Sequence, residues 1–381
     1  MTSGERIKVL YVSPVGEQGG AETLLLDILK FHDRRLFDPL VCFLRPGPLV
    51  DQVAGLGVPV TVVETSRIRN VSRTLRTVGE IRRLIRTENV RIVFSNSESG
   101  HIIGGLAAIG TVAKPVWFQH GLTSAGSPLA WLAAVIPTKR IYVNSRTTAE
   151  AQARIPNCKS RIELIYCGVD TSRYVPVPPD GRPRLSALGI SPAQPVVAMF
   201  ARFQEWKGQD VLLEAAVEVA AACQDARFLL VGDTSFGLEP EFKSRLKQMA
   251  ATPELDGRVV FAGFRNDVPA LLNEVDIVVH SHRAPEPFGL SIAEAMLMEK
   301  PVVASRLGGP AEFITDDAGV LVPPDDAHAL AHGILDLLHD APRRRALGRN
   351  GRALVLRRFS MDRMIAELEA SYRQVLSTWI H

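Results

Sequence analysis

Short β-rich runs that each close on Gly, Ser or Pro and lead into an amphipathic helical stretch repeat through this chain, and that alternation restricts its fold more than any other feature. The runs lie at 7–12, 39–44, 59–63, 90–94, 115–118 and 140–143, and again at 195–200, 226–231, 258–261, 276–280, 301–304 and 319–322. Strands apolar on both faces and separated by helices form parallel sheets with helices on either side. Between the two sets lies Tyr174-Val175-Pro176-Val177-Pro178-Pro179-Asp180-Gly181-Arg182-Pro183. Its proline density disfavours helix and central strand and marks a linker. The prediction is α/β, with two doubly wound Rossmann-like domains at 1–178 and 179–358. The 381 residues agree, being too many for one ordinary core. The helical region from about 326 to 378 has more turns than one sheet layer needs. Its last part, 359–381, is expected to cross back onto the first domain.

Apolar residues make up 46% of the chain and charged residues 22%, as in a folded globular protein. A net charge of +3 gives no reason to expect a nucleic-acid partner. Cys42, Cys158, Cys167 and Cys223 are scattered, without a C-x-x-C pair, which fits reduced thiols in a cytoplasmic protein. The chain enters a strand at Ile7, so no signal peptide is expected. No apolar run approaches the ~20 residues of a spanning helix.

The chemistry concentrates in Glu286-Pro287-Phe288-Gly289-Leu290-Ser291-Ile292-Ala293-Glu294. Glu286 sits in a loop at the carboxyl end of a strand, and Glu294 in the first turns of the next helix. Ligands of open α/β sheets bind at that edge. Gly289 lets backbone approach a ligand, and a helix N-terminus offers free N–H groups to an anion. Two hydroxyl acceptors around an anion site suit a nucleotide sugar. Arg202 and Lys207, in Arg202-Phe203-Gln204-Glu205-Trp206-Lys207-Gly208, follow another strand and can hold a diphosphate, Arg as a fork and Lys as a point charge. Ordinary surface cations are the plain alternative. Gly19 and Gly20 join the first strand to the first helix, where paired glycines allow phosphate or sugar to come close. No G-x-G-x-x-G occurs, which disfavours a nicotinamide or flavin dehydrogenase. His120 follows a strand in Trp117-Phe118-Gln119-His120-Gly121, and a structural histidine is its plain reading. His280 and His282 have a spacing that hints at metal, but no third ligand is evident.

Together these motifs resemble the retaining glycosyltransferases of family 4, with the GT-B fold. Glu286 through Glu294 match the family's E-x7-E, and Arg202 with Lys207-Gly208 its R-x4-K-G. Tyr166-Cys167-Gly168-Val169-Asp170 resembles its N-G-V-D turn, with Cys167 in place of Asn. Gly19-Gly20 and Gly308-Gly309-Pro310-Ala311-Glu312 match two further motifs, in the family's order. The resemblance implies two domains facing a cleft, the first binding acceptor and the second donor. It implies that Glu286 holds sugar hydroxyls and Glu294 the ribose. Arg202 and Lys207 would hold the diphosphate with amides near Phe288, Gly289 and Leu290, while Phe264 and Arg265 would lie along the base. His120 would lie near the transferred sugar. The expected donor is a nucleoside-diphosphate sugar of hexose type, UDP more than GDP. No cofactor and no metal are expected, since the chain has no D-x-D. A nucleotide-sugar epimerase, a phosphorylase, a two-carboxylate glycosidase and a non-catalytic nucleotide-sugar sensor are the rivals.

The acceptor is expected to be a glycan, glycolipid or small molecule, as in lipopolysaccharide or other polysaccharide synthesis. Arg67, Arg69, Arg73, Arg76, Arg82, Arg83, Arg86 and Arg91 crowd one stretch, and Thr74–Thr87 reads as an amphipathic helix with Leu75, Val78, Ile81, Leu84 and Ile85 buried. Such a helix can lie on an anionic membrane, here its inner face, or simply be a solvated face. The apolar stretch Pro128–Pro137 suits lipid or core.

Overall fold

The structure, a computed structural model, describes residues 6–17, 19–65, 70–178, 181–234 and 239–377. The chain divides into two compact units. One comprises residues 1–168 and 361–381, the other residues 169–360. The division precedes the proline-rich segment, whose Tyr174 is buried in the second unit and accepts a hydrogen bond from Arg352 through its carbonyl.

The first unit holds a parallel sheet of seven strands. They are β1 (Ile7–Ser13), β2 (Phe37–Phe43), β3 (Val60–Val62), β4 (Ile92–Ser95), β5 (Lys114–Gln119), β6 (Arg140–Val143) and β7 (Ile162–Leu164), in the order β3-β2-β1-β4-β5-β6-β7. The second holds six: β8 (Val196–Phe200), β9 (Arg227–Val231), β10 (Val259–Gly263), β11 (Ile277–His280), β12 (Val302–Ser305) and β13 (Val320–Val322), in the order β10-β9-β8-β11-β12-β13. All described pairings are parallel. The doubly wound α/β class read from the sequence is therefore observed in each unit. The central strands β4, β8, β11 and β12 are buried along their whole length, as parallel strands covered on both faces must be.

Strand β7 has no counterpart in the sequence reading. It is a half-buried Ile-Glu-Leu at a sheet edge, too short and too mixed to show as an apolar run. In both sheets the strand order reverses at one place, between β1 and β4 and between β8 and β11. The loops that leave these strands at their carboxyl ends diverge there and leave room for a ligand.

Helix Met361–Ser377 packs in the first unit through a buried polar cluster. His32 Nδ1 lies 2.8 Å from Glu369 Oε1, Tyr11 bonds both His32 and Tyr372, and Tyr142 Oη lies 3.0 Å from Ser371 Oγ. Gly168, in the Tyr166–Asp170 motif, touches the start of this helix. A Cβ there would come within 2.7 Å of Met361 Cα. That motif is structural, and Asp170 closes its turn by accepting from the backbone N–H of Ser172 at 2.9 Å.

The arginine-rich helix spans Val71–Thr87. It buries Thr74, Thr77, Val78, Ile81 and Ile85, whereas Leu75 is 63% exposed. The expectation that Leu75 is buried is thereby corrected. One residue along a helix turns the side chain by about 100°, and the buried stripe follows Thr74 and Val78. Arg67 and Arg69 lie outside the described residues. Arg82 donates to the carbonyls of Leu106 and Ala107, and Arg86 to that of Gly110. Arg82 thus serves the C-terminal carbonyls of helix Glu98–Ala108, which lack partners within their own helix, and Arg86 a carbonyl just beyond it.

Candidate active site

The second unit's reversal point gathers most of the residues singled out in the sequence. Strand β8 ends at Phe200 and leads through Arg202 to a 3-10 turn, Glu205–Lys207, and then to helix Gln209–Ala222. Strand β11 ends at His280 and leads through Glu286 to helix Leu290–Leu297. The Lys207 ammonium pairs directly with Glu286 Oε2, and Lys207 Nζ also lies 4.1 Å from the Trp206 ring centre. The paired side chains are only 13% and 11% exposed, so water screens them weakly. Such a pair can open its cation towards phosphate and its carboxylate towards hydroxyls without moving either backbone.

Two glycines make this approach possible. Gly208 has φ +75°, and a Cβ there would lie 2.0 Å from the Ser281 carbonyl oxygen. Ser281 Oγ in turn donates to the Gly208 carbonyl at 2.6 Å, locking the two loops together. Gly308 has φ +73°, and its Cβ would meet the Glu286 backbone O at 2.5 Å and N at 2.6 Å. Glu286 and Gly308 form an isolated parallel bridge, and the Gly309 N–H donates to the Glu286 carbonyl at 2.7 Å. The Gly308-Gly309 motif therefore holds the main chain that carries Glu286.

His280 and His282 complete the buried floor. Their Nδ1 atoms are 2.9 Å apart, and His282 Nε2 lies 2.7 Å from the Leu307 carbonyl. A carbonyl only accepts, so the 2.7 Å contact places a proton on His282 Nε2, while His282 Nδ1 lies between His280 Nδ1 and, at 3.2 Å, the His280 carbonyl. Burial lowers the pKa of both rings, and Lys207 pushes that of His280 down further. Both stay neutral. His280 Nε2 faces Glu286 Oε2 at 3.6 Å.

The other residues of the second unit expected at a donor site lie on the loops and helices that follow its strands. Arg202 is exposed, and among the described residues its guanidinium has no ion-pair partner. Glu294 is half-buried on helix Leu290–Leu297, which Gly289 opens with φ +92°. Leu290 is half-buried at the first position of that helix. The Phe288 side chain packs on Phe313 and Phe359, at ring separations of 5.3 and 5.4 Å, so only its backbone is available to a ligand. Phe264 is 63% exposed just after β10, and Arg265 is held by Asp267 at 2.7 and 2.8 Å.

Sequence reasoning missed Arg283 and Asp210. Arg283 Nη1 donates to both oxygens of buried Asp210 at 2.6 Å, Arg283 Nε reaches Asp325 at 2.5 Å, and the Arg283 N–H donates to the Trp206 carbonyl at 2.8 Å. Asp210 also accepts from Arg245. One residue of the Glu286 loop is thus bound to both sides of the Lys207 turn. An acidic residue in the first turn of a helix is ordinary in sequence, and nothing there shows that it is buried.

The first unit has its own polar row. His120 follows β5, and its Nε2 lies 2.8 Å from Asn96 Oδ1 at the end of β4. Asn144, at the end of β6, donates to the His120 carbonyl at 3.1 Å. Asn96 Nδ2 points to the Ala21 carbonyl at 3.3 Å, which leaves Asn96 Oδ1 to accept from His120. Burial pushes the His120 pKa down to about 3, so the ring is neutral with Nδ1 unprotonated. Gly19 is extended, at φ −145° and ψ −179°, a backbone any residue can adopt, and Gly20 begins helix Gly20–Phe31. Their backbone thus imposes no need for paired glycines.

Residues 18–173 match Glycosyltransferase Family 4, and residues 185–354 match Glycosyl transferases group 1. The chain belongs to the family 4 glycosyltransferases, of the GT-B fold. It is 27% identical to HepE of Anabaena, whose crystal structure holds UDP and glucose. The two superpose with a TM-score of 0.87 over 97% of this chain and 100% of HepE. It is 29% identical to LpsB of Rhizobium meliloti, a lipopolysaccharide core biosynthesis mannosyltransferase, over 62% of this chain and 65% of that one. A D-inositol 3-phosphate glycosyltransferase of Salinispora tropica is 32% identical over 63% of this chain and 55% of its own length. The chain thus spans between about half and two thirds of these curated relatives.

Proposed function

We propose that this chain transfers a hexose-type sugar from a nucleoside-diphosphate sugar to an acceptor hydroxyl, without metal and with retention at the anomeric carbon. The observation that carries the reading is the Lys207–Glu286 pair at the point where the second sheet reverses. A cation and a carboxylate in one shielded place offer a diphosphate its counter-charge and a sugar its hydrogen-bond acceptor. Arg202 adds a second positive charge without a metal ion. UDP is the preferred nucleotide, by likeness to UDP-bound HepE, with GDP the alternative that mannosyl transfer in LpsB keeps open.

In the transfer, the bond between the anomeric carbon and the diphosphate oxygen breaks as the acceptor oxygen bonds the same face. The leaving diphosphate takes the acceptor's proton, and Lys207 with Arg202 balances its charge. Neutral His120 can accept a hydrogen bond at Nδ1 from a sugar or acceptor hydroxyl.

The acceptor is a glycan, glycolipid or small molecule, and a membrane-borne acceptor has some support on the surface of the first unit. Exposed Val71 and Leu75 accompany Arg73, Arg76 and Arg83, all exposed, on one helix. Trp131, Leu132 and Val135 are exposed on helix Pro128–Val135. Apolar side chains beside cations suit anionic lipid. Among the described residues no helix is long and apolar enough to cross a membrane.

The test incubates the protein with UDP-glucose, UDP-galactose, UDP-N-acetylglucosamine or GDP-mannose and lipid or glycan acceptors, and reads the anomeric configuration of the product by NMR. A product with the donor's configuration supports the reading. Conversion of the donor with no acceptor present would indicate an epimerase, and an inverted product would overturn the proposed mechanism.

A further inference from the structure

We propose that Glu218, His328 and His332 form a surface site for a zinc-like divalent cation, separate from the transfer chemistry. Glu218 lies on helix Gln209–Ala222, and both histidines lie on helix Ala327–His339, two neighbouring helices of the second unit. His328 and His332 are four residues apart, so both rings project from the same helix face. The rings stand edge to face with centres 4.4 Å apart. Both turn towards one carboxylate: His328 Nδ1 lies 2.9 Å from Glu218 Oε2, and His332 Nε2 lies 3.6 Å from Glu218 Oε1.

Among the described residues this is the one group of three whose ligand atoms all lie within 4.8 Å of one another. Zinc binds imidazole nitrogen and carboxylate oxygen at about 2.0–2.2 Å in a tetrahedron, which sets neighbouring ligand atoms about 3.3 Å apart. The separations of 2.9 and 3.6 Å are close to that figure but run to different oxygens of the Glu218 carboxylate, so one ion would take both oxygens or draw the rings towards one of them. Small rotations about the side-chain bonds suffice to close the site. The His328 and His332 side chains are 73% and 61% exposed, so an ion can enter and keep water as its fourth ligand. Two imidazoles and one carboxylate suit zinc, nickel or cobalt better than magnesium or calcium, which prefer oxygen ligands. A bound ion would join the two helices and stabilise the second unit, since it binds the folded arrangement alone.

The test titrates the metal-free protein with zinc chloride by calorimetry and follows Tm with and without zinc. The expected result is one zinc per chain, a Tm that rises in zinc and falls back with EDTA, and no such response to magnesium. His332→Ala should weaken binding about 10-fold or more and abolish the Tm rise, whereas His339→Ala should leave both unchanged. Both substitutions fall on exposed or half-buried rings and should fold. No zinc-dependent heat or Tm change would overturn the site, as would a response that survives His328→Ala and His332→Ala together.

Discussion

Lys207 and Glu286 come from different loops, yet the ammonium of one rests on the carboxylate of the other. Removing either partner leaves a shielded charge alone. Lys207→Ala and Glu286→Ala should each lower transfer at least about 100-fold and cost up to about 3 kcal/mol of stability. The double variant should be no less stable than the worse single one, because the two losses are not additive. Chemical denaturation of the four proteins, alongside kcat/KM with the correct donor, checks this.

Gly308 should tolerate no side chain. Gly308→Ala places a Cβ 2.5 Å from the Glu286 carbonyl oxygen at a positive φ, so it should both destabilise the protein and impair transfer. Gly57→Ala is the control. Gly57 has a similar φ of +70° with nothing within 4 Å of its Cβ, so it should cost only about 1 kcal/mol and spare activity. Equal effects of the two substitutions on activity would contradict the role given to Gly308.

Arg283 should act by position. Arg283→Ala removes the guanidinium that reaches buried Asp210 through Nη1 and Asp325 through Nε, and so loosens the Lys207 turn against the Glu286 loop, while the Ser281–Gly208 bond and the Arg283–Trp206 main-chain bond remain. Transfer should fall about 10-fold or more, by the loss of ordering described for supporting residues, with weaker UDP binding. Arg283→Lys should restore only part of this, because a single ammonium cannot span Asp210 and Asp325 as the guanidinium does. A mere stability loss would lower the active fraction without changing KM or UDP affinity.

His101 should make stability fall in acid. Its ring is buried and lies parallel to Trp117 at 5.4 Å, and burial lowers its pKa from 6.5 to about 4. The unfolded chain therefore takes up the proton first. The contribution is complete above pH 6.5 and is lost as pH falls from 6.5 towards 4, about 3 kcal/mol over the whole window. His101→Leu should flatten Tm between pH 6.5 and 4.5 relative to the parent. An unchanged slope would contradict the assignment.

The fold was legible because parallel strands buried on both faces leave unbroken apolar runs, as Val196–Phe200 and Ile277–His280 do. Strand Ile162–Leu164 was not, because an edge strand with Glu163 at its centre carries no such signal. Arg202, Lys207, Glu286 and Glu294 could be picked out because each follows a strand or opens a helix in a motif of fixed spacing. Their contacts could not. The Lys207–Glu286 pair spans two loops, and Asn96, Asn144, Asp210 and Arg283 acquire partners only when the sheet order brings strand ends together. The glycines show the same limit: Gly308 is demanded by the Glu286 backbone, whereas Gly19 lies in a conformation open to any residue.

Calorimetric titration with UDP, with and without EDTA, of the parent protein and of Lys207→Ala tests the central claim most directly. The account predicts micromolar binding that EDTA leaves unchanged and that Lys207→Ala abolishes. Binding that needs a divalent ion, or that Lys207→Ala retains, would contradict it.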